Sequence, residues 1–249
     1  MGTEIIIITR AYGRQRVAAA GGQQALLPVI EQSGASGVEI RRELFSAPEL
    51  SQFPALSAAI KQHGLTAYYS VPEPLFTTAG TINPNLPVFF AEAGTVNARL
   101  LKFSVGYPAG NLPAEQLAEK LAASPVPVTV ENDQTDGGTL AAMREFFSRF
   151  GRVQAIAGMT FDTGNWYWTG ESPHQACRAL SACVSYIHLN AVRKDKHGFR
   201  PVPPDPDDEH WQTLLTALPA NVPRGIEFPL TGDDLVAVTR QYVNLFRHA

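Results

Sequence analysis

The chain has 249 residues, of which 45% are hydrophobic and 17% charged, enough apolar content for a sizeable buried core. A formal net charge of −3 offers no basic footprint for a polyanion, so nucleic acid is not an expected partner. No segment approaches the roughly 20 consecutive apolar residues of a membrane helix, and the apolar run in MGTEIIIITR is too short for a signal peptide. A cytoplasmic protein without a membrane partner is therefore expected. Cys177 and Cys183, on one predicted helix, do not stack on one face, which argues for reduced, structural thiols.

From the amino terminus, strand and helix patterns alternate. IIIITR reads as a first strand, and QQALLPVIEQSG carries helical apolar spacing. GVEIRREL supplies a second strand, followed by a helix over Ala47–His63 that stops at Gly64. LTAYYSV, RLLKFSVG and VPVTVE give the third, fourth and fifth strands, with helices starting near Asn83-Pro84 and Pro113. AIAGMTFD, VSYIHL and RGIEFP complete eight. Eight such units close most naturally into a (β/α)8 TIM barrel, and no linker divides residues 1–249, so a single domain is expected. Lys194–Asp208 is rich in proline and is expected to be irregular, lying over the barrel mouth as a lid or specificity loop.

Four of these strands end on a potential metal ligand: Glu131, Asp162, His188 and Glu227. Each alone is more simply a helix cap, an ion-pair partner or a core histidine. Together, on the last four strands in order, they point to one site at the carboxyl ends of parallel strands, where barrel enzymes place their chemistry. Three carboxylates and an imidazole suit one divalent ion such as Mn²⁺, with Mg²⁺, Co²⁺ or Zn²⁺ also fitting. A polyhydroxy carbonyl substrate chelated there would have its carbon-bound proton acidified through an enediolate, with Glu131 and Glu227 as base and acid.

The segments GVEIRREL, VTVEND, TFDTGNWYW, YIHLNAV and GIEFPL resemble the xylose-isomerase-like barrel superfamily, over essentially the whole chain. That superfamily contains sugar phosphate isomerases and epimerases, ketose 3-epimerases, hydroxypyruvate isomerases, 3-dehydroshikimate dehydratases and AP endonucleases. The resemblance implies one ion, commonly Mn²⁺, on Glu131, Asp162, His188 and Glu227, and an acid/base role for the two glutamates. It also suggests a homo-oligomer. The chain departs from the ketose 3-epimerase pattern at Asn165, where a histidine is expected, at Gly137, where a glutamate is expected, and at Lys194, where an arginine is expected. Ser70 and Val105-Gly106 stand where the endonuclease branch needs zinc-binding histidines, and Asp195-Lys196-His197 reads as loop surface.

Other residues fall near the expected mouth. Glu39 and Arg41 share a strand face, and Lys102 lies inside the fourth strand; they suit either a paired network or substrate binding. Asn165 keeps hydrogen-bonding capacity but cannot shuttle a proton. Trp166 and Trp168 suit an apolar wall against a sugar face or ordinary packing. Arg193 and Lys194 suit a carboxylate or phosphate, or solvent; Gly225 and Gly232 are weak phosphate signals. The expected function is a metal-dependent isomerase or epimerase of a small sugar, sugar phosphate or hydroxy-carbonyl acid. The alternatives are a dehydratase of the same fold and a non-catalytic sugar-binding barrel.

Overall fold

The structure is a computed structural model and describes residues 2–196 and 198–249. The strands in chain order are β1 (Ile5–Ile8), β2 (Gly37–Arg41), β3 (Thr66–Phe76), β4 (Leu101–Gly106), β5 (Val128–Glu131), β6 (Ile156–Asp162), β7 (Val184–Leu189), β8 (Ala191–Asp195), β9 (Gly198–Val202) and β10 (Arg224–Ile226). All but β8 and β9 are parallel neighbours in a closed barrel of eight, with β10 pairing both β7 and β1. The helices are α1 (Arg14–Ala19), α2 (Leu27–Gln32), α3 (Phe53–Gln62), α4 (Leu86–Val96), α5 (Ala114–Leu121), α6 (Leu140–Phe150), α7 (Pro173–Leu180), α8 (Glu209–Ala217) and α9 (Leu235–His248). The (β/α)8 barrel expected from the alternation is the observed architecture. Among the described residues, no helix is long and apolar enough to cross a membrane.

The two-residue period of the strands divides the barrel into two chemically distinct faces. Ile5 and Ile7, Val38 and Ile40, Leu101 and Phe103, Val128 and Val130, and Ile187 and Leu189 belong to the main apolar cluster with the helices. The alternate positions carry polar groups: Glu39, Ser70, Lys102, Thr129, Thr160 and His188, all buried. Near the bottom of the barrel, Ile6, Tyr68 and Tyr186 form a separate apolar cluster with Leu100 packed against it. Tyr68 and Tyr186 lie with ring centroids 5.0 Å apart. Above them the Thr129 and Thr160 hydroxyls meet at 3.0 Å, and higher still sit the ends of β5, β6 and β7.

Several sequence expectations need correction. The helix expected over Ala47–His63 is a 3₁₀ turn at Glu49–Ser51 followed by α3, because Pro54 lacks an N–H and is accommodated in the first turn of a new helix. Gly64 takes φ +65° just beyond that helix, as its stop signal implied. Residues 194–195 and 198–202 are not irregular. They belong to the antiparallel β8–β9 hairpin, in which Lys194 pairs with Phe199 and Val192 with Pro201. A two-stranded ribbon has two free edges, so a proline without an N–H fits where it would break a central strand. Cys183 lies in a 3₁₀ turn after α7 rather than on the helix of Cys177, and both thiols are free. Asp195 ends β8 and pairs with Arg200 at 3.2 Å, while His197 lies outside the described residues.

Gly225 illustrates how tightly the inner face is filled. A Cβ there would lie 2.5 Å from the Tyr186 hydroxyl, which is itself buried without a hydrogen-bond partner. Gly225→Ala is expected to destabilise the protein by about 1–3 kcal/mol through overpacking. The loss should shrink in a Tyr186→Phe background, and equal losses in both backgrounds, read by urea unfolding, would refute the packing account.

Candidate metal centre

The pairing register brings the four strand-end residues together. Asp162 is directly paired with His188 across β6–β7, and Gly225 with His188 across β7–β10, so Glu227 emerges two residues above that level. Glu131 closes β5 opposite Thr160. As a result, one donor atom from each of Glu131, Asp162, His188 and Glu227 lies within 4.8 Å of all the others. Donors about 2–2.4 Å from one ion span at most about 4–5 Å, so the quartet fits a single divalent ion.

His188, fully buried, is the centre of the arrangement. Its Nδ1 is 2.6 Å from Glu227 Oε2 and 2.7 Å from Glu131 Oε1, while Nε2 is 2.9 Å from Glu39 Oε2. The Tyr186 ring packs edge-on against the imidazole at 4.7 Å. Burial alone would lower the His188 pKa, but Glu39, Glu227 and Glu131 together hold it well above the usual imidazole range.

Each glutamate turns its other oxygen to a cation. Lys102 Nζ, on β4, pairs with Glu131 Oε2. Arg41 Nη1, at the end of β2, donates to Glu227 Oε1 at 2.7 Å and lies 3.5 Å from Glu39 Oε1. Burial pushes both carboxyl pKa values up, yet Lys102 and His188 outweigh it for Glu131, and His188 and Arg41 for Glu227, leaving both low. Glu39 is likewise held low, burial being overcome by His188 and Lys102. Asp162 is the exception: burial first, then Glu227 and Glu131, push its pKa up to about 8. Its Oδ1 accepts from the Gly164 and Asn165 amides at 2.8 and 2.7 Å, and its Oδ2 from Asn190 Nδ2 at 2.9 Å.

This crowding is what a cation would relieve. Glu131 Oε1 is buried and has only the His188 Nδ1 that it shares with Glu227, and three carboxylates, those of Glu39, Glu131 and Glu227, share one imidazole. The donor set, three oxygens and one nitrogen, is suited to a hard or borderline divalent ion. The residues present therefore fit the implied metal.

The centre opens into a cavity of about 600 Å³. Asn165, Lys102, Arg41 and Trp168 line it, together with Ser104 and Phe199, which the sequence had not singled out. Glu39 does not reach the cavity; at 1% exposure it lies behind His188 as an orienting partner. Trp166 is fully buried and packs on Phe161 at 5.4 Å, leaving Trp168 to form the wall with Phe199 at 5.5 Å. Arg193 and Lys194 are exposed on β8 and lie outside the cavity lining, with Lys194 Nζ 5.2 Å from the Phe199 ring centroid. The hairpin that carries them does line the mouth, through Phe199 and Pro201.

Three further residues hold the site and left little trace in the sequence. Asn132 receives the Asp162 amide at 2.9 Å and donates to its carbonyl at 3.0 Å, fixing β6 at its end. Gln23, fully buried, does the same for Arg41 at 2.8 and 3.0 Å. Asn190 follows the ligand strand β7 by one residue and reaches back to Asp162.

No family model matches the chain, and no curated protein matches its sequence. Its structure is similar to that of the IOLI protein with a bound zinc atom (TM-score 0.70, 13% identity, 97% of each chain covered). It is also similar to L-ribulose 3-epimerase (TM-score 0.69, 16% identity, 100% of this chain and 95% of that one). A third similar structure is the probable 3-DHS dehydratase AsbF from Bacillus anthracis (TM-score 0.66, 10% identity, 98% of each chain). The chain thus has the xylose-isomerase-like barrel fold.

A divalent ion is expected to bind in competition with protons. The raised values of His188 and Asp162 mean that the ion-free native state binds more protons than the unfolded chain, from about pH 4 for Asp162 and from about pH 6.5 for His188. Those contributions are full below the unfolded values and are lost as pH rises through the folded ones, about 8 for Asp162. Mn²⁺ should therefore raise Tm more at pH 8 than at pH 6; an equal or smaller shift at pH 8 would contradict this account. Glu39→Gln is expected to weaken Mn²⁺ binding roughly 10- to 100-fold by loosening His188, as isothermal titration would read.

Proposed function

We propose that this protein is a metal-dependent isomerase or epimerase of a small polyhydroxy carbonyl compound, transferring a carbon-bound proton with Glu131 and Glu227 as the base and acid pair. The observation that carries the proposal is the convergence of Glu131, Asp162, His188 and Glu227 on one point at the cavity floor. Mn²⁺, held by these four residues, would polarise the substrate carbonyl and stabilise the negative charge that develops on its oxygen.

The chain's own residues supply the rest. Lys102 and Arg41 each fix one oxygen of a glutamate, so neither carboxylate swings away from the centre. Both glutamates are kept ionised at neutral pH, the state a proton acceptor needs. Asn165 lines the cavity with its amide already held: Nδ2 donates to the Asn132 carbonyl at 2.9 Å and Oδ1 accepts from Gln134 at 3.1 Å. It can orient a hydroxyl but has no proton to exchange, which concentrates acid and base work on the glutamates. Trp168 and Phe199 give one wall of the mouth an apolar surface that excludes water from the reacting face.

Incubation of the Mn²⁺-loaded protein with ketoses, aldoses and hydroxy-carbonyl acids in D₂O, followed by NMR, is expected to show deuterium uptake at the carbon next to the carbonyl and appearance of an isomer. Glu131→Gln and Glu227→Gln should each lower that rate roughly 10²- to 10⁴-fold. Formation of a conjugated, ultraviolet-absorbing product with loss of water would instead identify a dehydratase. Full sugar affinity in metal-free Glu227→Gln protein would identify a non-catalytic binding barrel.

A further inference from the structure

Two histidines of the chain have ring nitrogens committed to carboxylates. His188 is held by Glu39, Glu131 and Glu227, and His63 Nδ1 lies 2.7 Å from Glu31 Oε2. His174 and His210 differ from both. Among the described residues neither imidazole makes a side-chain hydrogen bond or an ion pair, yet the two rings meet with centroids 4.6 Å apart and planes at 80°.

The local sequence explains the meeting. Ser172 caps α7 by accepting from the Gln175 amide and Pro173 opens the helix, so His174 stands in its first turn. Asp208 caps α8 by accepting from the His210 amide at 2.9 Å, which puts His210 in the first turn of that helix. α7 and α8 are packed neighbours, and further along the pair the Cys177 thiol donates to the Ala217 carbonyl at 3.4 Å. Each first turn thus presents one imidazole to a shared surface. His210 is exposed and His174 half-buried, so solvent reaches both.

The separation suits an ion between the rings. An imidazole nitrogen binds a transition ion at about 2.0–2.1 Å, which sets the ring centroid about 3.2 Å from the metal. Two such rings at ligand angles of about 90–110° have centroids about 4.5–5.2 Å apart. The observed 4.6 Å falls in that interval. Neutral imidazole is the ligand form, and burial first, then His210 and Arg178, push the His174 pKa down, which keeps that ring neutral at pH 7. The surrounding charge also favours a cation. Residues 205–209 read DPDDE immediately before His210, against Arg178 on α7.

We propose that His174 and His210 form a second metal site, a two-imidazole clasp for a borderline transition ion such as Ni²⁺, Cu²⁺ or Zn²⁺, separate from the strand-end quartet. Water completes the coordination. The clasp joins two segments that meet again at the barrel mouth. α7 follows the loop that carries Trp168, and α8 follows the ribbon that carries Phe199, and those two rings lie 5.5 Å apart. An ion between the first turns ties the feet of both segments together.

The test is calorimetric titration of Ni²⁺ into the wild-type protein and into Asp162→Asn, which disables the quartet but keeps both imidazoles. An Ni²⁺ binding event is expected in both that His174→Gln and His210→Gln each weaken roughly tenfold or more. His63→Gln, at a histidine already engaged by Glu31, should leave it within about twofold. Mg²⁺ at about 1 mM should not compete, because it prefers oxygen ligands. Hydrogen exchange of the amides in the first turn of α8 should slow on adding Ni²⁺ to the wild type and not to His174→Gln, whose substitution lies on the other helix. Unchanged Ni²⁺ affinity in both histidine variants, a loss in only one of them, or unaltered exchange at α8 would overturn the inference. The quartet is untouched in the histidine variants, so its Mn²⁺ binding and the proposed isomerase activity stand or fall separately.

Discussion

His188 has a carboxylate on each ring nitrogen, and that double engagement inside a closed barrel sets the terms for everything around it. Four carboxylates, Glu39, Glu131, Asp162 and Glu227, are drawn to one buried region, where each like-charged neighbour raises the cost of ionisation. The barrel offsets that cost from strands flanking the quartet: Lys102 on β4 pairs with Glu131 on the adjacent β5, and Arg41 on β2 pairs with Glu227 just beyond β10. Neither cation can be replaced by an apolar side chain without leaving an unpaired buried charge, which is the expensive case. Among the described residues Asp162 has no Lys or Arg ion pair, and its carboxyl is the one pushed upward, by burial and then by Glu227 and Glu131. A cation among the four strand-end residues would relieve that crowding.

The same constraint explains why so much of this structure could be read from the sequence. A strand has a side-chain period of two, so a polar residue between two buried apolar ones must face the barrel interior. Glu39 between Val38 and Ile40, Lys102 between Leu101 and Phe103, and His188 between Ile187 and Leu189 are such cases, and the structure turns all three inward. Strand ends are also legible, because a carboxylate closing an apolar run has few other places to go.

What escaped the sequence lies past the strand ends, where no period applies. The β8–β9 hairpin was hidden by prolines that a free edge tolerates; it brings Phe199 into the cavity lining, with Lys194 beside the Phe199 ring at the exposed edge and Arg193 paired to Arg200. The 3₁₀ turn Asn165–Tyr167 after β6 returns Trp166 to the core against Phe161 and leaves Trp168 for the wall. Asn132, Asn190 and Gln23 act through backbone or carboxylate contacts across strands, and nothing in the local sequence marks a buried amide as a clamp. Glu39 was legible as inward-facing, but its place behind the imidazole depends on how far each strand is staggered in the barrel.

The comparison structures clarify what such a division implies for chemistry. An epimerase, a probable dehydratase and a zinc-containing protein all share this barrel with the chain at 10–16% identity, so the barrel does not fix the reaction. A strand-end quartet of three carboxylates and an imidazole fixes where an ion could be held, beside the cavity. The groups above it determine which atoms of a substrate are presented there. In this chain those groups are Asn165 in place of a titratable histidine, a Trp168–Phe199 wall, and cations that are already committed to glutamates. Asn165 is an amide that does not titrate, the aromatic wall carries no charge, and Arg41 and Lys102 are each paired to a glutamate. What remains around the quartet is a set of neutral hydrogen-bonding groups and an apolar wall, with each lining glutamate already held by a cation.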